Sequence, residues 1–246
     1  MGTPTLESAW PFFGLCLRTP RLVLRLPTDA HLNELATLAA NGIHDPHLMP
    51  FAVPWTDAPP GVLERNILQY HWGRRAALKP TEWDLSFGVW IDGRLAGMQT
   101  IAAKDFAATL AVETGSWLGR AFQRQGIGLE MRAAVLHLAF ERLGATAAAS
   151  SAFVDNVASR RISERLGYCL ESEGTLSPRG TPRPNVRSVL TRERWLAWLA
   201  LARLPVSVEG LGPCLPLLLH CVPSRVDLGH LAATVPGCSR GRGRGA

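Results

Sequence analysis

Several absences narrow what this 246-residue chain can be. Its five cysteines, Cys16, Cys169, Cys214, Cys221 and Cys238, are scattered, odd in number and without a CxxC pair. That spacing suits reduced thiols in a cytoplasmic protein better than a disulfide framework. No apolar run approaches the ~20 residues of a membrane helix; the nearest, residues 215–222, contains Pro216 and His220. The first residues lack the basic and apolar regions of a secretion signal, and Leu6 stands where a myristoylation site has Ser or Thr. His44 and His47 form an H-x-x-H pair, yet no cysteine or carboxylate arrangement around them closes a zinc site, and no metal is expected. Tyrosine occurs only at Tyr70 and Tyr168, and no internal repeat is present. Two widespread phosphate loops are missing as well: there is no Gly-Lys-Ser/Thr ending and no GxGxxG spacing.

What is present points to one domain. At 47% hydrophobic residues, the chain suffices for one full core and not for two. Helix-like and strand-like patterns alternate, which argues for a mixed α/β architecture. The formal charge of +6 is unevenly spread: residues 219–246 hold Arg225, Arg240, Arg242 and Arg244 against Asp227, half of the excess. The body is nearly balanced, which argues against nucleic acid as a partner of the fold.

Residues 21–26 read as a strand, followed by a helix through Leu32, Leu35, Leu38 and Ala39 with Thr28 or Asp29 as its cap. A proline-rich stretch, 44–56, then acts as a substrate-site wall or as a cover for the core. A second helix is expected over 61–78, and Asp92-Gly93 joins residues 83–91 and 94–102 into an antiparallel hairpin. A fourth strand, 112–118, leads into Gln123-Arg124-Gln125-Gly126-Ile127-Gly128, after which Ile127, Met131, Val135 and Leu138 form an apolar helix stripe. Residues 146–154 form a strand, and Asp155 or Asn156 caps a helix ending at Gly167. A loop over 177–185, a strand over 186–191 and a closing helix over 195–201 complete the reading.

The hexapeptide 123–128 carries the chemistry. A turn between strand and helix aims backbone N–H groups and a helix N-terminus at one point, which suits a pyrophosphate. The two glycines remove Cβ where ligand oxygens approach the main chain. On spacing alone a plain tight turn remains open.

With its flanks, Gln123, Gly126 and Gly128 fit Gln/Arg-x-x-Gly-x-Gly/Ala, the acyl-CoA loop of the GNAT superfamily of N-acyltransferases, and residues 18–195 resemble that fold in element order. Residues 19–22, 115–119 and 156–159 with 166–168 are similar to the ribosomal-protein N-terminal acetyltransferase (RimJ/RimL) type. Residues 44–46, 49–51, 53–56, 104–106, 130–136 and 208–217 resemble a subgroup associated with succinyl-CoA.

The resemblance implies a mostly antiparallel sheet splayed between its fourth and fifth strands, with pantetheine between them beside Trp117, Leu118 and Gly119. It implies a pyrophosphate on the amides of Arg124, Gln125, Gly126, Ile127, Gly128 and Leu129, with Gln123 at the loop's start. The helix dipole adds ~0.3–1 kcal/mol. Arg124 adds a charge-assisted contact or is a solvated surface residue. Asn156 lies near the pantetheine.

Glu113 is the expected base, against the alternative of an exposed strand-end carboxylate. Many relatives place a tyrosine acid where this chain has Ser163; Ser159 is the expected replacement, or an ordinary first-turn residue. Tyr168 matches an aromatic packing position. A fourth-strand N–H near Trp117 is expected to bond the thioester carbonyl. Lys104 is the candidate for a succinyl carboxylate.

The donor is thus acetyl-CoA or succinyl-CoA, and the acceptor an amine. Neutralising an α-amine of pKa ~8 costs about 0.5 kcal/mol near pH 7.5 and a lysine about 4 kcal/mol, which favours an N-terminal or small-molecule amine over a protein lysine. An acetyl-CoA enzyme acting on a ribosomal-protein N-terminus, and a catalytically silent acyl-CoA-binding module, are the alternatives. The expected organisation is an N-terminal arm (1–17), the main domain (18–200), an extension (201–218) and an Arg/Gly-rich tail (219–246) that is disordered, touches RNA weakly or is a frame-shifted end. A homo-oligomer is compatible with the sequence.

Overall fold

In the computed structural model, residues 5–219 are described. The chain runs α1 (Leu6–Ala9), β1 (Cys16–Arg18), β2 (Leu22–Arg25), α2 (Asp29–Ala40), α3 (Val62–Ala76), β3 (Glu82–Ile91), β4 (Arg94–Lys104), α4 (Phe106–Thr109), β5 (Ala111–Leu118), α5 (Ile127–His137), β6 (Ala147–Phe153), α6 (Val157–Leu166), β7 (Cys169–Leu176), β8 (Arg183–Thr191), α7 (Arg192–Ala202), β9 (Ser207–Glu209) and α8 (Leu215–Leu218). Nine strands form one sheet in the order β7-β8-β6-β5-β4-β3-β2-β1-β9. Every neighbouring pair is antiparallel except β5 and β6. This is the expected mixed α/β sheet, and it parts where the resemblance implied: β5 and β6 pair only over Ala111–Glu113 with Ala147–Ala149.

Local chemistry explains many boundaries. Thr28 caps α2, accepting from His31 N while the His31 ring accepts from Thr28 N, and Thr191 caps α7. Asp92 and Gly93 both take positive φ (49° and 74°), the two-residue turn the hairpin needs. Gly167 ends α6 in the left-handed region at φ 91°.

The helices lie on two faces. On one, Leu32, Leu35, Ala36, Ala39, Leu63 and Ile67 from α2 and α3 pack with Met98 and Trp117. On the other, α5 buries a continuous apolar surface that includes Ile127, Met131, Ala134 and Val135 in the main core. At roughly 25 cal/mol per Å² of apolar surface removed from water, this burial supplies the principal driving force for the fold.

Both flanking segments pack into the main domain. The residues assigned to an N-terminal arm enter the core, with Phe12, Leu15 and Leu17 fully buried. The extension does the same: β9 pairs with β1, Cys214 and Leu218 are buried, and Trp83 Nε1 donates to Leu218 O across 3.0 Å. Residues 16–18 and 207–209 meet at one sheet edge, a long-range pairing that local patterns do not encode. Strands β1, β7 and β9 were not singled out from sequence. The expected Arg/Gly-rich tail lies, from residue 220 on, outside the described residues.

Candidate active site

The parting of β5 from β6 is the organising feature. Gly119 N donates to Ala96 O at 2.9 Å, and the β4–β5 register is unbroken from Gly97–Leu118 to Ala102–Glu113. Antiparallel ladders alternate, so Glu113, Gly115 and Trp117 direct their backbone groups at β4. Ser116 and Leu118 direct theirs at the gap. The donors expected near Trp117 are therefore those of its two neighbours, because the Trp117 N–H is turned towards β4.

Beyond Leu118 the chain makes the loop. Arg124 (φ 61°) and Gly126 (φ 78°) both sit in the left-handed region, a conformation costing a non-glycine residue ~1–2 kcal/mol. This backbone leaves the N–H groups of residues 124–128 without an acceptor among the described residues. Five amides left unpaired at a helix N-terminus are the groups from which an anion cradle is made.

The loop is fastened on three sides. Gln123 Nε2 donates to Ile43 O (2.7 Å) and Leu118 O (2.8 Å), and Gln125 Nε2 to Ala121 O (2.7 Å). Arg21 Nη1 donates to Gln125 O at 3.0 Å and pairs with Glu130 at 2.6 Å. Glu130, only 8% exposed, also accepts from Thr19 Oγ1 at 2.5 Å. Gln123 and Gln125 thus spend their side chains on the protein, while the Arg124 side chain is exposed.

The two glycines differ in purpose. Gly126 is needed for its φ. Gly128 is not left-handed; a Cβ there would lie 2.8 Å from Ile162 Cδ1, so this position also packs closely against the tip of an α6 side chain. Gly119 likewise admits Leu38, whose Cδ1 would be 2.6 Å from an added Cβ. Leu118 and Ile127 belong to the core, Leu129 is half-buried against it, and Trp117 stacks obliquely on Trp55 at 5.9 Å. The cradle and the outward-facing amides of the gap fit a pyrophosphate and a pantetheine arm.

The α2/α3 face of the sheet carries Thr100, Gly115 and Glu113 side by side in the β4–β5 register, and no atom lies within 4 Å of where a Gly115 Cβ would be; this open stretch forms a trough. Glu113, its carboxylate 65% exposed, accepts from Arg187 Nη1 at 2.5 Å, and Arg187 Nε reaches Glu171 at 2.7 Å. The bond to Glu113, with that to Glu171, holds the Arg187 guanidinium above its usual pKa. Across the trough, Arg179 of the β7–β8 loop forks onto Asp57 (2.5 and 2.7 Å) and donates to Pro46 O at 2.9 Å. That bond lowers the Asp57 pKa. Arg183 Nη2 reaches both oxygens of Asp155 (2.7 and 2.8 Å), and its Nη1 donates to Met49 O. Through Pro46, Met49 and Asp57 these two arginines hold the proline-rich stretch against the β7–β8 hairpin, beside a cavity of ≈ 250 Å³ lined by Ile43, His44, Leu63 and Arg179. His44 bonds Asp45 O (2.8 Å) and Thr56 Oγ1 (2.7 Å). Among the described residues no cluster of His, Cys, Asp and Glu suits a metal.

The remaining expected residues divide. Asn156 caps α6, its Oδ1 accepting from Ser159 N at 3.2 Å, whereas Ser159 Oγ is half-buried and has no partner among the described residues. Ser163, where a tyrosine acid was absent from the sequence, is buried and accepts from Arg132 Nη1 at 3.0 Å. Arg132 is 3% exposed, and burial pushes its pKa down. Tyr168 is 7% exposed, as a packing residue would be, and its pKa is raised by burial. Lys104 is exposed at the end of β4, two residues beyond Ala102, the partner of Glu113, and has no acidic partner among the described residues.

Sequence reasoning missed Arg21, Arg179, Arg183 and Arg187, whose partners are more than a dozen residues away along the chain. One available signal was Glu130, an acid on the apolar side of α5, which needed a partner.

Residues 21–168 match the model of the acetyltransferase (GNAT) domain, and the chain belongs to that family. It is thus an acyl-CoA-dependent N-acyltransferase. Solved structures agree in fold. Mycobacterium smegmatis RimJ in complex with CoA-disulfide is 19% identical with a TM-score of 0.62, covering 81% of this chain and 97% of that one. A GCN5-related N-acetyltransferase from Brucella melitensis is 22% identical with a TM-score of 0.60, covering 76% and 83%. RimL, a ribosomal L7/L12 alpha-N-protein acetyltransferase in complex with coenzyme A, is 17% identical with a TM-score of 0.55, covering 70% and 95%.

Proposed function

We propose that this acyltransferase moves an acyl group from acetyl-CoA or succinyl-CoA directly to a primary amine, an N-terminal or small-molecule amine in preference to a protein lysine. The observation that carries the reading is the pairing of two features on one strand–loop–helix unit: free amides over residues 124–128 and a β5 edge freed from β6 at Glu113. The first supports binding of the diphosphate. The second supports an extended arm laid beside Ser116 and Leu118. The bound thioester would supply an electrophilic carbonyl and a sulfur leaving group; the rest falls to the protein.

In this reading Glu113, directly or through one water, takes the proton of the incoming ammonium. Arg187 holds the carboxylate towards the trough. Ser159 Oγ donates to the departing sulfur, in the absence of the tyrosine found in many relatives. Lys104 is the cation proposed for a succinyl carboxylate. The RimJ and RimL likenesses support a peptide N-terminus as acceptor, and the small cavity beside His44 and Arg179 suits a first side chain.

Mass spectrometry of the CoA ester that co-purifies, followed by single-turnover transfer to a panel of amines between pH 7 and 9, tests the proposal. α-Amines are expected to be acylated well before lysine ε-amines. Comparable rates on both would refute the acceptor class, and an unchanged succinyl-to-acetyl preference in Lys104→Ala would remove Lys104.

A further inference from the structure

Converting an ammonium to an amide releases two protons from nitrogen, one before the carbon–nitrogen bond forms and one as it forms. Glu113, exposed at the strand end, serves the first. The face of the sheet that carries Glu113 holds a second carboxylate. In the β3–β4–β5 registers, Asp84 lies in line with Ala102 and Glu113, and Ser86 with Thr100 and Gly115. The Asp84 carboxylate is 7% exposed and Ser86 is 9% exposed, whereas Thr100 is half-buried at the trough floor.

These three side chains are hydrogen-bonded in series, and the series has a direction. Ser86 Oγ donates to Asp84 Oδ1 at 2.9 Å, and Ser86 Oγ lies 3.0 Å from Thr100 Oγ1. A serine hydroxyl has one proton. With that proton on Asp84, Thr100 must be the donor to Ser86, which leaves the lone pairs of Thr100 Oγ1 facing the trough as an acceptor. Nothing stands in front of them from the neighbouring strand: Gly115 has no side chain, and no atom lies within 4 Å of where its Cβ would be. Gly115 adjoins Ser116, whose N–H faces the gap.

We infer that Thr100, Ser86 and Asp84 form a relay that takes the second proton of the acceptor nitrogen into the protein. The inference rests on the acyl transfer proposed above. As the nitrogen–carbon bond forms and the carbon–sulfur bond breaks, a proton passes from nitrogen to Thr100 Oγ1. The Thr100 proton passes to Ser86 and the Ser86 proton to Asp84, while the sulfur takes its proton separately, from Ser159 or water. Burial raises the Asp84 pKa, against the hydrogen bond from Ser86 and the Arg74 guanidinium 3.2 Å away, which makes it a better proton acceptor than an exposed aspartate. The other titratable groups around it come from α3: His71 and Arg75, which line the same small crevice as Arg74, and Tyr70.

Thr100→Val keeps shape and removes the hydroxyl; Thr100→Ser restores it. Turnover of Thr100→Val is expected to fall about 10²-fold, at pH 7 and at pH 10 alike, with CoA affinity by calorimetry and thermal midpoint unchanged. Thr100→Ser should recover most of the rate, and Ser86→Ala should match Thr100→Val. In mixtures of light and heavy water the wild type should give a curved proton inventory, and Thr100→Val a straight one. Full turnover in Thr100→Val, or equal loss in Thr100→Ser, would overturn the relay while leaving the acyltransferase reading intact. Failure of the wild type to bind a CoA ester or to acylate any amine would instead remove the reading beneath it.

Discussion

In the proposed reading, the two ends of the active site are built in different ways. The end that offers the diphosphate cradle is a stretch of contiguous main chain, 119–129, whose chemistry is in its amides and whose shape is set by Arg124 and Gly126 in the left-handed region. The acceptor end is assembled from side chains far apart in sequence: Asp57 with Arg179, Asp155 with Arg183, Glu113 with Arg187. A cradle for a constant group can be made of backbone, which every sequence possesses. A trough for a variable acceptor is made of side chains that can change without disturbing the cradle.

The sharpest test of that division is Glu113→Gln. Turnover at pH 7 is expected to fall about 10²-fold and to recover towards pH 10, where the amine is already neutral. Calorimetric affinity for a CoA ester should not move; a loss of affinity would mean the two ends are coupled.

Helix α3 also carries a half-buried histidine. Burial holds the His71 imidazole at about 4 against an ordinary 6.5, so the unfolded chain binds this proton first as pH falls. Its contribution to stability is therefore whole above pH 6.5 and is lost as pH drops to about 4, by up to about 3 kcal/mol. Urea midpoints measured from pH 7 to 4.5 should show that slope, and His71→Gln should flatten it.

At the cradle, Gly126→Val forces a β-branched residue into the left-handed region at a cost of ~1–2 kcal/mol, expected as roughly 5- to 30-fold weaker CoA binding by calorimetry with acceptor KM unaltered. Gly128→Val should act differently, through a lower thermal midpoint, since its new side chain meets Ile162. The smallest effect belongs to the exposed latch. Arg179→Ala should raise the acceptor KM about 2- to 5-fold with little change in kcat, and Asp57→Ala should add nothing further, because the two act as one pair.

Legibility followed the same division. The Asp92-Gly93 hairpin, the caps of α2 and α6 to within one residue, the Gly167 terminator and the glycine turn over 123–128 are all short-range features, and each was readable from neighbouring residues. The contact of Gly128 with Ile162 Cδ1 was not readable, because that atom belongs to another helix. The pairing of the flanking segments was not legible for the same reason: β9 finds β1 only in the folded sheet. Arg179 and Arg187 look like ordinary surface arginines until the loop and strand that hold them are set beside Asp57 and Glu113.

The order of residues alone therefore determined most of the element types, the family and the position of the glycine turn, because propensity, capping and turn chemistry act over a few residues. Tertiary structure alone decided which backbone donors of β5 face the gap, which arginine holds which carboxylate, and that Asp84, Ser86 and Thr100 touch. Those depend on strand register, where a shift of one residue turns every side chain to the opposite face, and register is set by the whole sheet at once.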